Sequence, residues 1–146
     1  MNPSGSPGTP RTRRDPCAGR GRGASPFFPR IGGTVHRTLE IPSTLPTLDE
    51  LMGRPEFPDD ALAAHLLTLL RPDRLNVFTL HAEIEGMGRR EIFRDFLARC
   101  RRQGVEFTRL DDEATRLLAH RESIPVCDQV LAPIDGRSGL VATQAA

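Results

Sequence analysis

Four segments of the chain combine β-prone residues with the apolar spacing of strands. In residues 33–41 the apolar side chains fall on one parity, which predicts a strand or an extended segment. Residues 75–80 and 105–109 are short apolar runs that predict two further strands. After Pro125 the pattern predicts irregular strand, with Asp135-Gly136 as a tight turn.

Between these segments the spacing changes to that of amphipathic helices. Thr47 and Glu50 have the spacing of a capping box, and Gly53 closes a short helix. Apolar stripes and stop signals predict three longer helices: one that Asp59 caps and Pro72 ends, one over 89–103 that stops at Gly104, and one over 111–120. The order strand, helix, strand, helix from 75 to 120 is typical of a parallel α/β sheet or barrel.

The first 26 residues differ from the rest in composition. Residues 1–26 are rich in Gly, Pro, Ser and Arg, and such a segment buries too little apolar area to offset its ordering entropy. We predict a disordered tail over 1–26 and one α/β domain over 27–146. Residues 1–30 hold six Arg and one acid, whereas the remainder holds fourteen Arg and eighteen acids. The folded part is therefore not expected to bind nucleic acid.

The cysteines and the hydropathy of the chain bear on its compartment. Cys17, Cys100 and Cys127 are odd in number and far apart, which argues against a disulfide framework or a structural zinc site and fits a reducing compartment. No secretory signal is recognised, and no apolar run is long enough to cross a bilayer. We expect a chain that is soluble or peripheral.

His81 is the main catalytic candidate because it directly follows the predicted strand 75–80. Ligands and chemistry in α/β proteins usually lie just past the C-terminal ends of strands. An imidazole there can act as a general acid or base, and the alternative is a histidine hydrogen-bonded in a loop. Glu83 and Glu85 follow on the same parity. A His-x-Glu-x-Glu metal site is conceivable, but a loop would scatter these side chains.

Other motifs of enzymes are missing from the sequence. It contains no Gly-x-Ser-x-Gly, no P-loop and no dinucleotide fingerprint. No two histidines have the His-x-x-x-His spacing that many metal hydrolases use. We therefore assign no metal ligand within this chain.

Several separate motifs occur in the order known from one family. They are Arg22-Gly23 with Pro26-Phe27 and Pro29, the stretch 41–50 with Gly53-Arg54, the stretch 78–86, the stretch 103–107, and Gln129-Val130 with 136–139. In these motifs the chain resembles the C-terminal half of the 4-deoxy-4-formamido-arabinose-phosphoundecaprenol deformylases, which belong to the polysaccharide deacetylase (NodB-homology) superfamily. The resemblance runs from about Arg22 to near Gln144.

This resemblance implies a fold, a reaction and roles for particular residues. The fold would be the C-terminal portion of a distorted (β/α)7 barrel. The reaction would be metal-dependent hydrolysis of an N-formyl group on a lipid-linked amino sugar, a step of lipid A modification and of resistance to cationic peptides. His81 matches a catalytic general acid, and Arg22 resembles an arginine that orients a catalytic carboxylate. Glu83 and Glu85, which follow the histidine, are assigned to substrate binding.

The sequence departs from the family pattern at the metal site. The metal ligands and the aspartate base of the family lie on early strands, and no segment here resembles those motifs. We expect a C-terminal fragment from a truncated or frameshifted gene that is inactive alone and holds no cofactor of its own, whereas the complete enzyme needs a divalent metal. The expected partners are the lipid-linked sugar and the missing N-terminal barrel half. The alternative is a non-catalytic partner or binding module that uses the basic tail to hold anionic lipid or RNA.

Overall fold

A computed structural model describes residues 17–19 and 21–145 of the 146-residue chain. These residues form a mixed α/β structure, which confirms the predicted class. Their strands are β1 (Cys17–Ala18), β2 (Phe28–Ile31), β3 (Thr34–Val35), β4 (Leu39–Glu40), β5 (Val126–Pro133) and β6 (Leu140–Gln144). Their α-helices are α1 (Leu48–Leu51), α2 (Asp59–Thr68), α3 (Arg90–Arg102) and α4 (Leu110–Leu118). A π-helical turn spans Ile84–Gly88, and a 3-10 turn spans Arg121–Ser123.

The larger sheet has four strands in the order β3-β2-β5-β6. At its centre β2 and β5 run parallel, with Phe28 opposite Val126. β5 and β6 form an antiparallel hairpin, and Asp135-Gly136 lies in the turn between them, which confirms the turn predicted there. β1 and β4 form a separate parallel pair. The sheet is thus mixed rather than purely parallel.

Two apolar cores hold the helices in place. The i, i+4 spacing of Leu62 and Leu66 puts both on one face of α2, where they pack with Phe96 and Cys100 of α3. Helix α1 completes this first core with Leu48, Leu51 and their neighbours. The second core joins the sheet to α4 through five buried residues: Phe28, Leu39, Ile41, Ala114 and Ile124.

The helices agree closely with the pattern that predicted them. One half of the predicted capping box of α1 is made by the Thr47 N–H, which donates to Glu50 Oε2 at 3.1 Å, whereas Thr47 Oγ1 has no hydrogen-bond partner among the described residues. Helix α3 lies within one residue of its predicted bounds at each end, and Gly104 follows with a φ of +71° that favours glycine. Helix α2 is capped by Pro58 rather than by Asp59, which lies in its first turn.

Two of the predicted strands are not formed. Residues 75–80 and 105–109 have no regular secondary structure. In the first of them the Val77 carbonyl accepts from the N–H groups of Thr44 and Leu45 at 3.0 and 3.1 Å, but no ladder follows. A strand needs a neighbouring backbone along its length, and the side-chain pattern cannot supply one. The prediction of these two strands is wrong for this reason.

The structure differs from the expectation at the end of the predicted tail. Residues 1–16 and 20 lie outside the described residues, so disorder there stays a prediction. Residues 21–26 belong to the fold: the Gly21 N–H donates to Glu40 Oε1 at 2.9 Å and the Arg22 N–H to the Ala142 carbonyl at 2.8 Å. Composition missed these contacts because backbone pairing requires no apolar side chains.

Candidate functional site

His81 faces a carboxylate from helix α1. Its Nδ1 lies 3.6 Å from Asp49 Oδ1, and the two side chains are 29% and 31% exposed. Neither of these two atoms has a hydrogen-bond partner within the described part of the chain. The imidazole is therefore reachable from solvent, and the group that faces its Nδ1 most closely is an acid.

The hydroxyl of Thr79, two residues before His81, helps to hold the segment that leads to His81 in place. It is hydrogen-bonded to the hydroxyl of Ser43, on the segment that leads from β4 to α1. The Val77 N–H also donates to Thr44 Oγ1 at 2.9 Å. These contacts join residues 75–80 to the segment that precedes α1. His81 follows the first of these segments and Asp49 follows the second, so the two residues come close to each other.

Glu83 directly precedes the π-helical turn and Glu85 lies within it, and their side chains have different surroundings. Glu83 is exposed, whereas Glu85 is only 2% exposed and its Oε2 accepts from the His81 N–H at 2.7 Å. Extra residues in π-helical turns are frequent at functional sites because they re-aim side chains. Here the turn folds Glu85 back beneath the histidine, where it supports the His81 backbone. Substrate binding by Glu83 or Glu85 stays a prediction.

Arg22 and Arg137 meet at one buried carboxylate. Glu50 is 2% exposed, and Arg22 donates to both of its carboxylate oxygens and also to the Leu45 carbonyl. Arg137 approaches Glu50 Oε1 at 3.4 Å from the hairpin turn. A buried carboxylate needs such partners, since burying a lone charge is costly. In this structure the carboxylate that Arg22 contacts is Glu50, and the orientation of a catalytic carboxylate by Arg22 stays a prediction.

Helix α1 connects the two groups of charged residues. Its adjacent residues Asp49 and Glu50 point to His81 and to the two arginines respectively. The hairpin turn packs closely against the same helix. The contact is so close that a Cβ at Gly136 would lie 2.2 Å from the Glu50 carbonyl oxygen. An ion pair of 2.8 Å between Arg54 and Asp135 lies beside this contact. The position of Asp49 thus depends on both arginine contacts and on the turn.

Sequence reasoning found His81 and Arg22 but not their partners. Asp49, Glu50 and Arg137 all lie in stretches that carry the family resemblance, yet Asp49 and Glu50 look like ordinary acids in the first turn of a helix. The sequence signal that could have singled them out is their place in the 41–50 motif. Only the folded structure brings Asp49 to the histidine.

The described residues do not fit a metal ion by themselves. Among residues 17–19 and 21–145 no group of three or more His, Cys, Asp or Glu side chains is arranged to hold one. Asp49 and His81 make a pair, whereas a catalytic zinc site takes three protein ligands.

Two curated relatives match most of the chain, although no protein-family model matches it. A protein of Shewanella sediminis (strain HAW-EB3) is 35% identical over 125 residues, which are 85% of this chain and 38% of the relative. A protein of Wigglesworthia glossinidia brevipalpis is 34% identical over 124 residues, which are 84% of this chain and 42% of the relative. Both bear the name "Probable 4-deoxy-4-formamido-L-arabinose-phosphoundecaprenol deformylase ArnD".

These matches are consistent with a chain of the polysaccharide deacetylase superfamily, and its described residues have an α/β fold. It belongs to the 4-deoxy-4-formamido-L-arabinose-phosphoundecaprenol deformylase family and corresponds to a C-terminal part of it. The chain spans about two fifths of the length of the two relatives. None of the described helices has the length and apolar character needed to cross a membrane.

Proposed function

We propose that this chain supplies the proton-donating side of a formamide hydrolase that acts on a lipid-linked formamido sugar in lipid A modification. The observation that carries the proposal is the 3.6 Å contact between His81 Nδ1 and Asp49 Oδ1, in a motif that resembles the catalytic acid of the family. The identity of 34–35% to proteins named as such deformylases supports the substrate class. The finer fold, a portion of a distorted (β/α)7 barrel, is part of the proposal.

The proposed role of His81 follows from the chemistry of the bond to be broken. Hydrolysis of a formamide adds water to the formyl carbon, breaks the C–N bond and releases formate and an amine. The amine is a poor leaving group until its nitrogen receives a proton, and a positioned imidazole supplies that proton. Because Nδ1 faces Asp49, Nε2 is the ring nitrogen left for the substrate. Asp49 orients the ring.

Arg22 acts in this proposal through Glu50 and helix α1. Its side chain is 13% exposed and holds both oxygens of the Glu50 carboxylate. A bidentate guanidinium–carboxylate pair fixes orientation as well as charge. Since Glu50 is adjacent to Asp49, this pair sets the position of the carboxylate that faces His81. Arg22 is therefore a positioning residue.

The complete activity needs more than the described residues provide. The family chemistry requires a divalent metal, and the described residues hold no set of three ligands for one. We propose that the remaining groups come from the part of the deformylase that this chain does not match, and that the chain alone is inactive. The site of action would be the cytoplasmic face of the inner membrane, where the lipid-linked substrate is present.

Complementation tests this proposal. The full chain is co-expressed with the unmatched part of the Shewanella sediminis deformylase, and formate release from the lipid-linked formamido sugar is measured with added divalent metal. We expect activity only from the combination, and His81→Ala should lower it by about 10²- to 10⁴-fold.

His36→Ala is the matched control, because His36 is exposed and its side chain makes no hydrogen bond or ion pair with the described residues. It should leave the rate unchanged. Restored formate release that His81→Ala does not affect would refute the assigned role of His81.

A further inference from the structure

The charges around Glu50 do not balance. Arg22 donates to both oxygens of its carboxylate, and Arg137 approaches Oε1 of the same carboxylate at 3.4 Å. Two guanidinium groups therefore face one buried acid. The Arg137 side chain is 37% exposed, and among the described residues its guanidinium has no other acceptor. Arg137 thus presents a positive charge that solvent can reach and that the shared carboxylate neutralises only in part.

Further hydrogen-bond donors lie next to Arg137 on the same turn. Ser138 and Gly139 are exposed, and within residues 17–19 and 21–145 neither their N–H groups nor the Ser138 hydroxyl has a partner. Gly139 has a φ of +82°, and the space beside it is open, since an added Cβ would meet nothing within 4 Å. Consecutive N–H groups beside a left-handed residue bind anions, and a guanidinium strengthens such a site. The turn therefore has the donors of an anion site.

Exposed apolar side chains begin where this turn ends. Leu140 directly follows Gly139, and Leu131 lies diagonally across the hairpin from it, because the direct partner of Leu131 is Ala142. The two leucines share one face of the hairpin, and Leu131 and Leu140 are 69% and 62% exposed. A single exposed leucine is ordinary, but a neighbouring pair beside a cationic turn fits a ligand with an anionic head and a hydrocarbon chain.

We propose that the turn 136–139 binds the phosphate of the lipid-linked formamido sugar, and that Leu131 and Leu140 contact the start of its hydrocarbon chain. The names of the two relatives place a phosphate between the arabinose and the undecaprenol. The identity of the sugar is taken from the proposed function, on which this inference rests in that respect. Arg137 takes no part in breaking the C–N bond, so it is a specificity-determining residue.

The chain of contacts between Arg137 and His81 supports this arrangement. Arg137 contacts Glu50, the adjacent Asp49 faces His81, and both acids belong to the four-residue helix α1. In the substrate the sugar ring separates the formamide from the phosphate, so its two ends must meet two different groups of the protein. The imidazole and the guanidinium, which the same short helix holds, provide these two groups.

A lipid phosphate explains more of this surface than its separate parts do. Inorganic phosphate would occupy the donors of the turn and leave both leucines in water. A neutral lipid would cover the leucines and leave the guanidinium without an anion. Only a ligand that carries both groups uses the charge, the free N–H groups and the apolar face together.

Steady-state kinetics of the complemented enzyme test the proposal. Formate release is measured from the lipid-linked substrate and from the methyl glycoside of the same formamido sugar, which lacks the phosphate. Arg137→Gln should raise the KM of the lipid-linked substrate about 10- to 100-fold relative to that of the glycoside, which is the loss expected for one hydrogen bond between charged groups. A movement of α1 would affect both substrates alike and leave the KM ratio unchanged.

Two further variants control for charge and for location. Arg54→Gln removes a neighbouring cation that Asp135 already neutralises at 2.8 Å, so it should leave the KM ratio unchanged. Arg137→Lys keeps the charge but not the planar fork, and it should restore part of the ratio. A KM ratio that Arg137→Gln does not change, or that Arg54→Gln changes equally, would overturn the proposal.

Ligand binding to the full chain gives a readout that does not depend on catalysis. Amide shifts are followed during titrations with farnesyl phosphate, farnesol and inorganic phosphate, each lipid below its critical micelle concentration. The Ser138 and Gly139 amides should shift saturably with farnesyl phosphate, and about tenfold more tightly than with inorganic phosphate, because apolar contact adds to the affinity. Farnesol should leave these two amides unmoved. Equal affinities for the two phosphates, or no shift at Ser138 and Gly139, would overturn the proposal.

The two proposals fail in different ways. Formate release that depends on His81, with a KM ratio that Arg137→Gln does not change, would reject the phosphate site and leave the proposed function standing. Saturable binding of farnesyl phosphate at the turn, without formate release from the complemented enzyme, would reject the function and leave the phosphate site standing.

Discussion

Asp49 and His81 face each other across 3.6 Å, and neither of the two facing atoms has a hydrogen-bond partner in the described residues. Asp49 lies on a four-residue helix, and His81 follows a segment with no regular secondary structure. Neither element is rigid by itself, so the contact depends on what holds each of them. Glu50 and the arginines hold the helix, Ser43 is hydrogen-bonded to Thr79 two residues before the histidine, and Glu85 accepts from the His81 N–H.

Asp49→Asn should slow the reaction without weakening substrate binding. The amide keeps the size of the side chain but removes the charge that orients the ring. We expect kcat of the complemented enzyme to fall about 10- to 100-fold with little change in KM, since small misplacements of a catalytic group have effects of this size. Asp60→Asn, at an exposed acid of α2, is the control. A normal kcat for Asp49→Asn would contradict the positioning role.

Arg22→Ala should destabilise the fold more than loss of a surface arginine does. It leaves the buried Glu50 carboxylate with Arg137 at 3.4 Å and the Thr47 N–H at 3.1 Å. Because breaking a buried pair leaves an uncompensated charge, we expect a loss of about 3 kcal/mol in the free energy of urea unfolding.

The control for that variant is Arg30→Ala. Arg30 pairs with Asp128 at 3.4 Å, and the side chains are 42% and 56% exposed. Surface pairs of this kind contribute less than about 1 kcal/mol. If the two variants lost equal stability, Glu50 would not depend on Arg22.

Glu113 should make stability depend on pH in the acid range. The hydrogen bond from Arg116 lowers the pKa of the Glu113 carboxyl below its ordinary value of about 4.5, against the opposing effect of burial. A lowered folded-state pKa means that this contribution is present above pH 4.5 and is lost as the pH falls through the folded pKa. The melting temperatures of the wild type and Glu113→Gln should therefore converge as the pH falls below 4.5. Asp112→Asn, at the exposed neighbour, should not show this convergence.

Cys100 should resist alkylation in the folded chain. Burial raises the pKa of the Cys100 thiol, and its side chain is 1% exposed. Since the thiolate is the nucleophile, a raised pKa and an inaccessible sulfur both slow the reaction. At neutral pH iodoacetamide should modify the partly exposed Cys127 first, and Cys100 only in urea. Peptide mass spectrometry would measure both, and rapid native labelling of Cys100 would contradict the packing of α2 against α3.

The helices could be predicted from the sequence because the residues that begin and end each helix lie within or next to it. Thr47 and Glu50 are three residues apart, and Gly104 ends α3 within the same stretch of chain that forms it. Residues 75–80 show the opposite case. Their composition is that of a strand, but a strand also needs a partner backbone, and that information is not contained in the segment itself.

As with the fold, the sequence predicted only a part of the candidate site. His81 could be selected because it follows an apolar run and matches a motif. Asp49 could not be selected, since an acid in the first turn of a helix has a sufficient explanation in the helix dipole. Its contact with His81 results from packing between segments that are distant in the chain.

Gly136 provides a test of how the hairpin turn holds helix α1. Its φ is +80°, and an added Cβ would lie 2.2 Å from the Glu50 carbonyl oxygen. Gly33 is the matched control, because its φ is +83° and an added Cβ would meet nothing within 4 Å. Gly33→Ala should therefore cost only the left-handed backbone penalty, about 1–2 kcal/mol.

Gly136→Ala should cost about 1–3 kcal/mol more than Gly33→Ala, which is the usual range for forcing an extra carbon into a packed contact. The turn must move away from α1, so the Arg137 contact with Glu50 should weaken at the same time. Urea unfolding measures the difference in stability, and the amide shifts of residues 48–51 report whether α1 moves. Equal losses for the two variants, with unchanged shifts in α1, would show that the turn does not position the helix that carries Asp49.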